Sequence, residues 1–229
     1  MLGCFMDTSR RPHSREGLRS FQLKVMGFIA IFIGPIVLFV TMAIYDLPFP
    51  QSISETATIP NKTAPILPFC LGALALFALS YAIVHVYDRM DRILTTGMFV
   101  GFTIVALQMC KSPYIDARRV GAFGVTESTS NMLHGVGAVA GFGCMIMWVM
   151  LCFTKSDKRK HEHTKEKKLR NNCYFWLGLA MLLSLMLFVV KHIGLLGGGF
   201  PVVFTTECFM LTFGGVACLI KGGLFLRDK

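Results

Sequence analysis

Six long apolar blocks constrain the fold of this chain more than any other feature of its sequence. Each block holds about 18–24 mostly apolar residues, and polar segments separate the blocks. A helical crossing of the bilayer core needs about 20 apolar residues, and the backbone N–H and C=O groups of a crossing segment must be paired within it. The sequence therefore predicts an all-α polytopic membrane protein, a six-transmembrane-helix bundle. The predicted helices span about residues 24–45, 65–87, 93–110, 131–153, 173–196 and 201–226.

The basic residues lie mostly in the short segments between these blocks. A net charge of +10 is compatible with nucleic-acid binding, but this placement is typical of membrane orientation, so we expect no nucleic-acid partner. With a cytoplasmic N-terminus, 18 of the 23 Lys and Arg residues face the cytoplasm. We therefore expect both termini in the cytoplasm. Residues 1–23 would form a basic N-terminal segment, residues 24–226 the transmembrane domain, and residues 154–172 a basic cytoplasmic loop.

The run Lys155–Arg170 concentrates eight of these basic residues. We interpret it as a solvated loop that attracts anionic lipid head groups, since each basic residue near the surface contributes about 1 kcal/mol. Compact loops favour the cytoplasmic membrane of a bacterium as the location. The sequence indicates no cofactor and no particular oligomeric state.

Polar residues at membrane depth need a specific reason, because an ionisable group at a helix centre costs about 2.5–3.5 kcal/mol on insertion scales. Glu207 is expected about 9 Å into the sixth helix. In an alternating bundle, the ends of odd-numbered helices and the starts of even-numbered helices meet on one side of the membrane. The candidate site residues therefore gather in the outer half: Ser54, Glu55, Gln108, His134, Lys191, His192 and Glu207. We expect no comparable set in the inner half, with Asp91 at its water interface.

Two interpretations of this outer cluster need no catalysis. In the first, Glu207 pairs with His134 or Lys191 in a hydrogen-bond network that fixes helix packing. In the second, the cluster is a pocket for a lipid head group, covered by a loop that holds Ser54 and Glu55. The second interpretation makes membrane lipids the partners of the protein.

Two further alternatives remain open. A membrane-embedded, metal-dependent lipid hydrolase would bind zinc through His134, His192 and Glu207, because catalytic zinc uses three protein ligands and one open position. A small-solute transporter would need polar residues along its whole path, whereas the inner helix halves are apolar. No P-loop, GxSxG, HExxH or dinucleotide motif is present, so no catalytic residue is assigned.

Three short motifs resemble those of a known family. The segment SISETATI (residues 52–59) resembles an "ISDTG"-type motif before the second helix. His134 in LHGVGAVAGF resembles a histidine that opens the fourth helix, and Glu207 in TTECFMLTFGG resembles a glutamate early in the last helix. Over about residues 25–225 the chain thus resembles a distant relative of the DRAM/Frag/Sfk six-helix membrane proteins. The resemblance implies cytosolic termini, a connection to membrane lipids, and Ser54, Glu55, His134 and Glu207 as motif residues.

Small residues recur at helical spacing in two blocks. Gly137 and Gly141 lie in the fourth block, and Gly97 and Gly101 lie in the third. Small-xxx-small patterns let helices approach closely. We expect these glycines to pack helices rather than to take part in chemistry.

Overall fold

The chain folds into six long α-helices. The computed structural model describes residues 12–58, 66–84, 89–111, 119–155, 164–195 and 201–226, without the side chains of residues 12–15 and 192. In this part of the chain, six helices are long and apolar enough to cross a membrane and no β-strand is present. The all-α, multi-pass prediction is confirmed at this level. The helices are α1 (Pro12–Phe39), α2 (Ile66–Val84), α3 (Arg89–Leu107), α4 (Glu127–Met147), α5 (Lys165–His192) and α6 (Val202–Lys221).

The helices pack in a ring in chain order, and α6 closes the ring against α1. Neighbouring helices are antiparallel. Gln22, early in α1, donates to Ser80, late in α2, at 2.8 Å, and His134, early in α4, bonds the carbonyl of Gln108, just after α3. We call the end with the starts of α1, α3 and α5 the near end, and the end with the starts of α2, α4 and α6 the far end.

Several helices begin earlier than the apolar blocks. α1 is already helical at Pro12 rather than at residue 24, and α5 begins at Lys165 rather than at residue 173. Thr164 caps α5 by accepting the N–H of Lys167 at 3.2 Å; Thr126 caps α4, so that helix begins before residue 131. Hydropathy detects the stretch suited to lipid, whereas a cap fixes where the helix starts.

Glycines bring two pairs of helices into close contact. A Cβ atom on Gly101 of α3 would lie 2.5 Å from the Cα atom of Gly141 in α4. The predicted packing role of these glycines is confirmed. A second approach, which the sequence did not reveal, joins α1 to α6: a Cβ on Gly27 would lie 2.8 Å from the carbonyl oxygen of Gly215.

The near end contains a buried polar cluster, so the expectation that Asp91 lies at the water interface is wrong. Asp91 is only 6% exposed. One carboxylate oxygen accepts the indole N–H of Trp148 at 2.6 Å, and the other lies 3.7 Å from the guanidinium of Arg19. Arg19 also donates to the hydroxyl of Tyr81 at 2.8 Å. These residues come from four different helical elements, so only the folded ring brings them together.

Candidate functional site

The connection between α1 and α2 folds back into the far end of the bundle. α1 continues into a π-helical turn, Val40–Ile44, and a 3₁₀ turn, Ser54–Thr58, follows further on. Ile53 and Ser54 are buried in the bundle. Irregular backbone at membrane depth is tolerated where protein surrounds it. We call residues 46–58 the re-entrant segment.

Glu207 holds the re-entrant segment in place. It lies in the second turn of α6 and is 6% exposed. Its Oε2 atom accepts the backbone N–H of Ile53 at 2.6 Å, and its Oε1 atom accepts the hydroxyl of Ser54 at 3.2 Å. The backbone N–H of Phe204 adds a hydrogen bond to the carbonyl of Gln51 at 2.9 Å. The start of α6 therefore binds this segment through both side chain and backbone.

His134 connects the same segment to the end of α3. Its Nδ1 atom lies 2.7 Å from the carbonyl oxygen of Gln108, and its Nε2 atom lies 2.8 Å from the Oγ atom of Ser54. Because a carbonyl oxygen only accepts, Nδ1 carries a proton. We call Glu207, Ser54, His134 and the Gln108 carbonyl the polar chain.

The polar chain can hold its protons in two arrangements, because the Ser54 hydroxyl has one proton to donate. If Ser54 donates to an ionised Glu207, Nε2 of His134 must donate to Ser54, so His134 is an imidazolium. If Ser54 donates to neutral His134, Glu207 must be protonated and donate to Ser54. Both arrangements satisfy every group and differ by one proton moved through the Ser54 hydroxyl.

The seven predicted site residues fall into different positions. Ser54, His134 and Glu207 lie together, and Gln108 joins them through its backbone carbonyl. The Glu207–His134 pair is bridged by Ser54 rather than direct. Glu55 does not join this group: its Oε2 atom accepts the N–H of Gln51 at 2.7 Å. Lys191 is half-buried near the end of α5, and the His192 side chain is outside the described part of the structure.

Two empty spaces adjoin the re-entrant segment. A small, partly open cavity of about 20 Å³ lies against Ser54 and Glu207 among apolar side chains such as Phe102 and Phe142, which is room for about one water molecule. A larger, partly open pocket of about 130 Å³ is lined by Thr41, Pro48, Phe49, Pro50, Gln51, Glu55 and Thr56. We call it the Thr41 pocket. Sequence reasoning missed it, because Thr41 lies within an apolar block and so looks like an ordinary helix residue.

Cys110 is a further site residue that the sequence did not single out. Its thiol lies against Ser52 of the re-entrant segment. Burial, followed by the nearby Glu207 and Glu55 carboxylates, raises the pKa of Cys110 to about 12. The thiol is therefore protonated at neutral pH and is not an activated nucleophile.

Metal binding would require a rearrangement of the polar chain. Among the described side chains, no group of three or more His, Cys, Asp and Glu residues is placed to hold a metal ion. Both ring nitrogens of His134 already make hydrogen bonds. The zinc alternative also needs His192 as a ligand, and the side chain of His192 is outside the described part of the structure.

Comparison with other proteins adds no identification. No protein-family model matches the chain, and neither does any curated protein or solved structure.

Proposed function

We propose that this integral membrane protein binds and organises membrane lipids at its far end, without catalysis. The observation that carries the proposal is the re-entrant segment, which Glu207 fixes inside the bundle and which borders the partly open Thr41 pocket. A pocket with polar lining residues at the level of helix ends lies where lipid head groups meet protein.

The surroundings of the Thr41 pocket fit a lipid rather than a water-soluble solute. Phe39, Met42 and Ile44 lie along the same stretch of chain as Thr41, and all three side chains are exposed. Exposed apolar side chains at the end of a crossing helix contact acyl chains. A lipid can therefore place its head group in the pocket and its chains along α1.

The geometry of Ser54 and His134 raises the question of catalysis. Their 2.8 Å separation and the 2.7 Å contact of His134 with a carbonyl match a nucleophile and an oriented general base. However, Glu207 also accepts the Ser54 hydroxyl, and the adjoining cavity holds about one water molecule. The small size of this cavity leaves little room for an acyl group beside Ser54, which supports a structural role for this pair.

Membrane orientation and relationship are part of the same proposal. We place both termini in the cytoplasm, because 18 of the 23 basic residues then lie inside. The compact loops favour the cytoplasmic membrane of a bacterium. The run Lys155–Arg170 would contact anionic lipid from that side. The motif residues support a distant relationship to the DRAM/Frag/Sfk proteins. This resemblance is an argument for a connection to lipids that does not depend on the pocket.

The proposal is tested by measuring the lipid that stays bound to purified protein. Native mass spectrometry of protein released from nanodiscs should show retained lipid in the wild type. Glu207→Ala should lose this lipid, because the segment that forms the pocket is released. Glu16→Ala, which removes an exposed carboxylate at the near end, should retain it.

Other outcomes would favour the alternatives. If Glu207→Ala loses stability but keeps its lipid, the polar chain only fixes helix packing. One equivalent of co-purifying zinc that disappears in His134→Ala would indicate the hydrolase. Labelling of Ser54 by a fluorophosphonate would contradict the non-catalytic role.

A further inference from the structure

We propose that the Thr41 pocket recognises a primary ammonium group, such as the ethanolamine head group of a phospholipid. The inference rests on the proposed lipid binding and adds the chemistry of the head group. Three residues carry it: the buried hydroxyl of Thr41, the carboxylate of Glu55 and the ring of Phe49, all of which line the pocket.

The Thr41 hydroxyl needs a partner that the described chain does not supply. Thr41 is 1% exposed, and its Oγ1 atom has no hydrogen-bond partner among the described residues. Other threonines in these helices bond a carbonyl one turn back, as Thr95 bonds Asp91 at 2.7 Å and Thr205 bonds Pro201 at 3.0 Å. A buried, unpaired hydroxyl is costly. A ligand in the pocket can supply the missing hydrogen bond.

The backbone at Thr41 is also unusual. It belongs to the π-helical turn Val40–Ile44, and single π-turns occur frequently at functional sites. The N–H of Leu47 bonds the Thr41 carbonyl at 3.0 Å. The turn therefore leads the chain directly from Thr41 into the pocket wall formed by residues 48–51.

The charge of the pocket selects a cation. Glu55 is the only ionisable residue among those lining it, and the N–H of Gln51 holds one of its oxygens at 2.7 Å. The described basic residues of the far end, Lys111, Arg119 and Lys191, are not part of the lining. The Phe49 ring adds an aromatic surface of the kind that attracts cations.

Hydrogen bonding then distinguishes a primary ammonium head group from a quaternary one. A primary ammonium has three N–H donors, enough for the Glu55 carboxylate and the Thr41 oxygen together. A quaternary ammonium has none, so it would leave Thr41 unpaired. An anionic head group would place its charge beside Glu55. We therefore expect the order ethanolamine, then choline, then glycerol phospholipids.

The experiment uses the full chain in nanodiscs that contain equal amounts of the three phospholipids. Native mass spectrometry of the retained lipid should show phosphatidylethanolamine enriched over phosphatidylcholine and phosphatidylglycerol. Glu55→Gln should reduce that enrichment about tenfold, the effect of losing one charge-assisted hydrogen bond. Thr41→Val keeps the side-chain shape and should reduce it by a smaller factor. Glu127→Gln, an acid at the start of α4 that does not line the pocket, is the matched control.

Two results would overturn the inference in different ways. Retention of all three lipids in equal amounts, unchanged by Glu55→Gln, contradicts ammonium recognition and leaves lipid binding intact. A wild-type protein that retains no lipid contradicts the proposed function itself. Titration with soluble phosphoethanolamine identifies the source of the amine. Saturable binding of phosphoethanolamine that is weakened by Glu55→Gln supports ammonium recognition. If the same protein retains no lipid, this binding shows that the pocket takes a water-soluble amine.

Discussion

The Glu207 carboxylate of α6 accepts the backbone N–H of Ile53 at 2.6 Å, although 154 residues separate the two in the chain. This bond joins the first connection of the bundle to its last helix, beside the contact that closes the ring between α1 and α6. Because the donor is a backbone group, the bond does not depend on which side chain residue 53 carries. The identity of residue 207 alone decides whether that N–H is paired.

Replacing Glu207 should therefore reveal how much of its role is hydrogen bonding. Glu207→Gln keeps an acceptor for the Ile53 N–H, whereas Glu207→Ala leaves a buried donor unpaired at a cost of about 1–3 kcal/mol. We expect a larger fall in stability for Glu207→Ala, measured as the apparent melting temperature in detergent. Equal losses in the two variants would show that the charge, and not the hydrogen bond, matters.

Ser54 should transmit the interaction between Glu207 and His134. In a double-mutant cycle, Glu207→Ala and His134→Ala should couple by about 0.5–3 kcal/mol, as residues in one network do. In a Ser54→Ala background this coupling should vanish, because the bridging hydroxyl is gone. Ser184→Ala is the control: Ser184 is buried in α5, bonds the carbonyl of Ala180 at 2.9 Å and lies outside the polar chain. Coupling that survives Ser54→Ala would mean that the two residues interact by another path.

The sequence predicted the helices and part of the site for physical reasons. Hydropathy reports the crossing segments directly, and the cost of burying Glu207 and His134 marks them without any structure. The sequence could not predict that Ser54 bridges Glu207 and His134, because this contact depends on a loop that folds back between helices. Asp91 was misjudged, since its position near a helix start reads as a water interface until Trp148 and Arg19 cover it.

Cys110 should resist thiol reagents at neutral pH. Its pKa is raised from 9.0 to about 12, so the reactive thiolate is scarce until the pH approaches that value. Maleimide labelling followed by peptide mass spectrometry should show slow modification at pH 7.5 that accelerates as the pH rises. The same protein unfolded in SDS should react quickly. Equal rates in folded and unfolded protein would contradict the partly buried placement of the thiol beside Ser52.

The two tryptophans provide a matched test of the near end. Trp148 is 0% exposed and donates to Asp91, whereas Trp176 is 59% exposed. Trp148→Phe keeps an aromatic ring but removes the N–H donor, which should cost about 1–3 kcal/mol because Asp91 loses a partner in a buried site. Trp176→Phe should change stability little. Thermal unfolding of both variants in detergent measures the difference, and similar values would argue against the Asp91 bond as a source of stability.

Two glycines should respond in opposite directions to the same substitution. Gly101→Ala places a Cβ atom against the backbone of Gly141, 2.5 Å from its Cα. Backbone cannot move aside as a flexible side chain does, so α3 and α4 must separate, at a cost of about 1–3 kcal/mol for overpacking. Gly143→Ala meets nothing within 4 Å and should be neutral or slightly stabilising, because alanine favours a helix over glycine by about 1 kcal/mol. Unfolding of the two variants in the same detergent compares them directly. A destabilised Gly143→Ala would show that its face of α4 contacts another protein surface, such as a second copy of the chain, rather than lipid.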